Sequence, residues 1–500
     1  MFFRSDGSVC TGTLINPRTV LFAAHCVNNR PEEDYDTAVR SAFSFNVNAL
    51  PGFQNWFVNG FASNPDLSVY NINRIYWNSG STIRGGADFL EGDVALASLD
   101  TPATNVPIWS VLFSPLPTPD QISDTDGTGY HVNITGYGRS GQGTVGDVNG
   151  IDWRRRSAEN MLGALTSFDD RNTFLFGQPF GDLPQVLYRL DFDDPNKTNP
   201  FDFNLYKDEP RVNEGTTAGG DSGGPLILDA ANNPITDEDL VIGVLSGGSR
   251  FFGGQVFSSY GTESFYQPLF LFWDYIAANN PYRYVTAKAG DGDWEDASHW
   301  ETTLDPSYRI IDSSGAIVNG IPTTGGNGIT GDAPQFGEVC FDPEGANPGD
   351  GCQNLADGTF TPPARETLAN LGVSSGLGTL DETLLADLQL GGANALSGDE
   401  LAAIDSSLGT QRIGPEFAQE RPAGSAGGGP EFSPIPNPAP TLANGLPGAS
   451  DFVPNNIDPV ISADPSVNVD PRYFDVTLGN DGTTRLNSSV VIDRLTVRNN

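Results

Sequence analysis

Positive charge is scarce in this chain. Its 500 residues carry 26 Lys and Arg against 63 Asp and Glu, a formal net charge of −37. Nucleic acid and anionic membrane surfaces repel such a polyanion, so neither is expected as a partner. Long apolar runs are missing too. No stretch of about 18 apolar residues occurs, which excludes a membrane-spanning helix. The opening "MFFRSDGSVC" has no apolar core of signal-peptide length. Cysteine and histidine number only four and three. With no CxxC pair a zinc site is poorly supplied, and neither a metal nor a cofactor is expected. The cysteines fall instead into two local pairs, Cys10 with Cys26 and Cys340 with Cys352. These read as short-range disulfides made in an oxidising compartment. Disulfides without an export signal imply that the chain as given starts downstream of its natural beginning.

Glycine and proline are plentiful, 59 and 37. That favours turns and short strands over long helices. Up to about residue 285 the runs "TVLFAAHC", "DVALASLD", "YHVNITGYGR", "QVLYRLDF", "GGPLILD" and "LVIGVLSGG" are apolar and bounded by Gly, Pro, Asn and Asp. This is the pattern of an antiparallel barrel or sandwich. A helix is expected in "ESFYQPLFLFWDYIAANNP", where Leu269, Phe272, Trp273 and Ile276 recur at helical spacing before Pro281. Composition then changes. Residues 286–314 pair Trp294 with Trp300 among acids and glycines. Residues 315–450 are Gly/Pro-rich, with short helices expected at "DETLLADLQL" and "SGDELAAIDSSL", capped by Asp381 and by Ser397 or Asp399. Residues 451–500 alternate like strands.

One stretch needs a chemical explanation: "TTAGGDSGGPLIL", residues 216–228, sets a serine among four glycines and an acid. A nucleophilic serine requires a neutral imidazole to accept its proton and a carboxylate to fix that imidazole's tautomer. It also requires main-chain N–H groups aimed at the developing oxyanion. Of the three histidines, His25 ends an apolar run beside Cys26, His131 lies within an alternating strand, and His299 reads as a surface residue.

"TAGGDSGGPL", "LFAAHC" and "GDVALASL" together resemble the trypsin/chymotrypsin-type serine proteases, in that family's chain order of His, Asp, Ser, over roughly residues 1–280. The resemblance implies a chymotrypsin-like double antiparallel β-barrel with a C-terminal helix. It implies Ser222 as nucleophile, His25 as general base and later acid, and Asp93 as the residue orienting His25. Asp88, Asp66 and Asp100 lack the matching context. Gly220 and Ser222 would supply the oxyanion hole, and Cys10–Cys26 would match the bridge behind the histidine. Thr216 falls at the base of the primary pocket, and Ser246, Gly247 and Gly248 on its wall. An uncharged base predicts cleavage of protein or peptide substrates after uncharged, small or medium apolar residues.

Two departures stand out. The family buries a freshly cut N-terminus against the acid preceding the nucleophile, here Asp221, yet only nine residues precede Cys10. Asp221 therefore needs other donors or an upstream segment. The 128 residues between Asp93 and Ser222 also exceed the family's usual core, so "DVNGIDWRRRSAEN" and "FDDPNKTNPFDFNLYKDEP" read as surface insertions. Arg154–Arg156 reads as a solvated turn rather than a processing site. "GDGDWEDASHW" and "VVIDRLTVRNN" are similar to the start of β-solenoid passengers in bacterial autotransporters. The expected organisation is a protease domain over 1–285, the start of a passenger over 286–314, an insertion or linker over 315–450, and the start of a solenoid over 451–500. The function this implies is a secreted or cell-surface serine endopeptidase. The alternative is an adhesin or scaffold whose protease domain only matures or releases its own passenger. Oligomeric state is not legible.

Overall fold

A computed structural model of the chain describes residues 1–498 apart from positions 36, 83–89, 177, 178, 180–182, 200, 203, 253, 327, 329–332, 342–350, 362–434 and 463. Both helices expected near residues 381–408 lie outside the described residues, as does Asp88.

Seven strands make the first sheet, in the order Val9–Cys10, Phe2–Arg4, Ser41–Ser44, Val69–Trp77, Ala95–Leu99, Thr19–Phe22, Thr13–Asn16. Every neighbour in it is antiparallel. Most of these strands carry aromatic or β-branched residues, types that suit a half-buried pleat, while Ala95–Leu99 carries neither and is buried throughout. Phe2, Phe22 and Phe43 place their ring centres 5.3–5.5 Å apart inside it.

A second antiparallel set runs Arg156–Met161, His131–Gly136, Pro225–Leu228, Leu240–Ser249, Glu263–Pro268, Val186–Asp191, Ala164–Ser167. Leu240–Ser249 is buried along its whole length, which is why its sequence is apolar without alternation. Its register shifts between Leu245 and Gly247, a bulge at Ser246. The chain is thus mainly β with few helices, and its curled antiparallel sheets fit the chymotrypsin-like expectation.

The closing helix is shorter than its spacing suggests. Glu263–Pro268 is a strand, Leu269–Leu271 a 3₁₀ turn, and only Trp273–Asn279 is α-helical. Strand partners on both sides of Glu263–Pro268 outweigh the local helical period.

A third sheet follows. Tyr282–Ala287 lies between Trp300–Thr302, antiparallel to it, and Tyr473–Leu478, parallel to it. Arg494–Val497 adds a further parallel strand outside Tyr473–Leu478. Trp294 and Trp300 meet at a tilt, ring centres 4.6 Å apart, in a cluster with Phe452, Phe474 and Val476. His299, expected at the surface, is instead 8% exposed. The turn Ala297–His299 packs its ring against Trp300 and brings Nε2 within 3.0 Å of Thr484 Oγ1.

This part is tied to the two sheets before it. Tyr308–Ile311 pairs with Ser110–Leu112, and Phe336–Phe341 with Ala164–Ser167. Cys340–Cys352 bridges Phe336–Phe341 to Gly351–Asn354, and Cys10–Cys26 forms within the first unit. Arg18 meets both Asp493 oxygens at 2.7 Å and lies 3.8 Å over the Tyr473 ring. Among the described residues, no helix is long and apolar enough to cross a membrane.

Candidate active site

Strand register brings His25 and Asp93 together. Thr19–Phe22 runs antiparallel to Ala95–Leu99, with Phe22 opposite Ala95. Residues just after Phe22 therefore lie beside residues just before Ala95. His25 sits in the 3₁₀ turn Ala24–Cys26, and Asp93 precedes the partner strand by two positions. Asp93 is fully buried and holds the histidine twice. Its Oδ1 accepts the His25 main-chain N–H and its Oδ2 meets Nδ1, each at 2.7 Å. Two contacts from one carboxylate fix both the backbone and the ring. A carboxylate on Nδ1 assigns the proton there and leaves Nε2 as the acceptor. Asp66 and Asp100 are elsewhere, and Asp100 accepts from Ser63 Oγ.

Ser222 approaches the His25 turn from the second sheet, its carbonyl 4.0 Å from Cys26 Sγ. The Gly223 N–H donates to the Leu245 carbonyl, and the Leu245 N–H to the Gly224 carbonyl, each at 2.8 Å. The turn is thereby anchored to the central strand. Across the sheet junction, the Thr11 N–H donates to the Ser222 carbonyl at 2.7 Å. Thr11 follows Cys10, and Cys10 is bonded to Cys26, the residue after His25. The disulfide thus ties the His25 segment to the Cys10–Thr11 segment, which in turn hydrogen-bonds the Ser222 carbonyl. Ser222 Oγ is buried and has no hydrogen-bond partner among the described residues.

The Gly219–Gly220 peptide is oriented from behind. Its carbonyl accepts the Arg139 N–H at 2.9 Å. In a planar trans peptide the N–H points opposite the carbonyl, so the Gly220 N–H faces away from Arg139. Gly220 has φ +99°, which side-chain-bearing residues rarely adopt. The N–H groups of Gly220 and Ser222 donate to no main-chain acceptor among the described residues.

Asp221 is satisfied by backbone amides. Its Oδ1 accepts the Gly138 N–H at 2.7 Å and its Oδ2 the Ala218 N–H at 2.9 Å. A Cβ on Gly138 would lie 2.7 Å from Asp221 Cγ, so the socket requires glycine there. Burial pushes the Asp221 carboxyl up to about 6, while those amides and Arg156 pull it down. A cavity of about 500 Å³ opens behind Asp221, between Gly138–Thr144 and Thr216–Ala218, and touches neither His25 nor Ser222.

The remaining candidate residues cluster on one wall. Thr216 and Thr217 place their hydroxyls 3.0 and 2.8 Å from Ser264 Oγ, an uncharged, hydroxyl-lined patch. Ser246 accepts from Gln267 Nε2 at 2.9 Å, while Gly247 and Gly248 pair with Phe265 and Ser264. The main-chain groups of Gly138 and Arg139 and the side chain of Ser264 escape sequence reasoning. The first two act through an N–H that every residue but proline has.

"FDDPNKTNPFDFNLYKDEP" is not a surface insertion throughout: Phe192, Asp193, Asp194, Leu205, Tyr206 and Asp208 in it are buried. Arg154–Arg156 is exposed, with Arg156 paired to Asp152. Among the described residues three clusters have metal-ligand proximity. Two of them contain disulfide sulfurs, which are not thiolate donors. The third is Asp191, Asp193 and Asp208.

Residues 1–151 match the family model described as Trypsin. That stretch contains His25 and Asp93, and Ser222 lies beyond it. The match supports a trypsin-like serine protease domain and a serine-type peptidase acting on peptide substrates. With the two disulfides it is consistent with an extracellular location. A search of curated proteins finds no match.

Proposed function

We propose that this protein is a secreted serine endopeptidase in which Ser222, His25 and Asp93 act as a catalytic triad. The observation that carries the reading is the double hold of Asp93 on His25, at the junction where the disulfide and Thr11 deliver Ser222. His25 Nε2 takes the proton as Ser222 Oγ attacks the scissile carbonyl. Asp93 stabilises the imidazolium that forms. The Gly220 and Ser222 N–H groups receive the oxyanion, each such donor being worth ~3–4 kcal/mol in the transition state. His25 then protonates the leaving amine, and water, deprotonated by His25, releases the acyl group from Ser222.

The Thr216, Thr217 and Ser264 hydroxyls present no counter-charge to a basic side chain, which supports cleavage after uncharged residues. An alternative is a surface scaffold whose protease only matures its own chain. It draws on the parallel stacking of Tyr282–Ala287, Tyr473–Leu478 and Arg494–Val497, an arrangement compatible with the first rungs of a β-solenoid passenger on a bacterial cell.

Incubating the protein with an unfolded protein substrate and sequencing the products separates the two. The main reading expects cleavage in trans after uncharged residues, absent in Ser222→Ala. Cleavage confined to the chain itself would transfer support to the scaffold reading. No cleavage of either kind would contradict both.

A further inference from the structure

Strand Val186–Asp191 ends where residues 192–214 leave the second sheet. At that point Asp191, Asp193 and Asp208 each bring a carboxylate oxygen within 4.8 Å of the other two. They are only 3%, 4% and 5% exposed. Buried carboxylates are ordinarily matched by cations or fully capped by donors. The same protein does this one strand away. Glu263, directly opposite Asp191 in register, is held by Arg171, Arg189 and the Tyr206 hydroxyl.

Among the described residues the three aspartates make no ion pair; Asp193 and Asp208 hydrogen-bond only to each other's carboxyl across the cluster. Of the nearby basic side chains, Lys207 pairs with Asp124 and Glu338, and Arg211 pairs with Asp126 while acting on Asp208 only through its charge, without an ion-pair contact. Asp191 accepts one amide, Tyr206 N–H at 2.9 Å. Asp208 Oδ1, though buried, has no hydrogen-bond partner among the described residues. An unpartnered oxygen on a carboxylate lying among two others is an electron-pair donor with nothing to receive it.

We infer that Asp191, Asp193 and Asp208 form a binding site for a divalent cation, Ca²⁺. The donors are all hard oxygens, with no imidazole or thiolate beside them, which disfavours zinc and copper. Ca²⁺ tolerates the irregular geometry of ligands drawn from a strand end and a loop, and completes its shell with carbonyls or water. Mg²⁺ demands a near-ideal octahedron. Bound there, the cation joins the end of Val186–Asp191 to the far side of the loop at Asp208. Glu214 carries the constraint onward. Its Oε1 accepts the Asp193 N–H at 2.7 Å and its Oε2 the Arg211 N–H at 2.6 Å, and Glu214 itself lies two residues before Thr216. The cation would thereby brace the segment that enters the candidate pocket, whether or not the chain is a protease.

The test uses the full chain freed of metal by EGTA at pH 7.5. Calorimetric titration with CaCl₂ should show one saturable site, and thermal unfolding should move upward as Ca²⁺ exceeds its dissociation constant. Mg²⁺ at equal concentration should shift it less. Asp193→Asn and Asp208→Asn should each weaken Ca²⁺ binding at least 10-fold. In EGTA they should unfold at or above the wild-type temperature, because each replaces one of three crowded, buried carboxyls with a neutral amide. That also serves as the folding control. Unchanged unfolding of the wild type between EGTA and millimolar Ca²⁺ would overturn the inference. So would binding of undiminished affinity in both variants.

Discussion

Asp221→Asn isolates the acid beside the candidate nucleophile. Asp221 is part-buried at the cavity beside Gly138 and Ala218, whose amides each bind one of its oxygens. Burial raises its carboxyl to about 6, above the ordinary value of 3.8. A group whose pKa is higher in the folded state favours folding most when protonated. Its contribution is fully present below pH 4 and is lost as the pH climbs through 6. The size of that loss is about 3 kcal/mol, at 1.36 kcal/mol for each pH unit between the two values. Asparagine has no proton to lose, so the variant lacks this slope. It also keeps only one acceptor oxygen. One of the two amides is left buried and unpaired, at about 1–3 kcal/mol. At pH 4 the variant should be the less stable protein, and by pH 8 the gap should have moved by about 3 kcal/mol in its favour. Urea unfolding of both proteins at pH 4, 6 and 8 measures this. A gap that stays constant over the range would refute the assignment of a raised carboxyl pKa to Asp221.

Two further substitutions test the packing around the site. Glu263→Gln leaves Arg171 and Arg189 buried without a counter-charge, and should cost about 3–5 kcal/mol by urea midpoint. Asp493→Ala strips both 2.7 Å contacts from Arg18, at about 3 kcal/mol. It should make the last strands sensitive to limited proteolysis while residues 1–280 resist.

The pairing of His25 with Asp93 is legible in the sequence because it needs only two local motifs and an antiparallel register between them. The glycines around Ser222 are legible for a similar reason: the positive φ of Gly220 leaves few other choices of residue. Groups that act through the backbone leave no such mark. Neither Gly138, which caps Asp221, nor Arg139, which turns the Gly219 carbonyl, does so with its side chain. Long-range partners are equally silent, since Arg18 finds Asp493 across 475 positions. Polarity misleads over residues 192–210. Their acids and prolines suggest a solvated loop, whereas tertiary packing buries Phe192, Tyr206 and the carboxylates together. The short closing helix is the opposite error, a helical period overruled by two flanking strands.

The central claim is that Ser222 is activated by His25 and served by a formed oxyanion hole. Intact mass after incubation with a fluorophosphonate tests it most directly, with Ser222→Ala and His25→Ala alongside. The account predicts a single adduct on the wild type, mapped to Ser222, absent from Ser222→Ala and formed at least 100-fold more slowly in His25→Ala, within the range by which such a base contributes. Folded wild-type protein that takes no adduct, or an adduct that persists in Ser222→Ala, would contradict it.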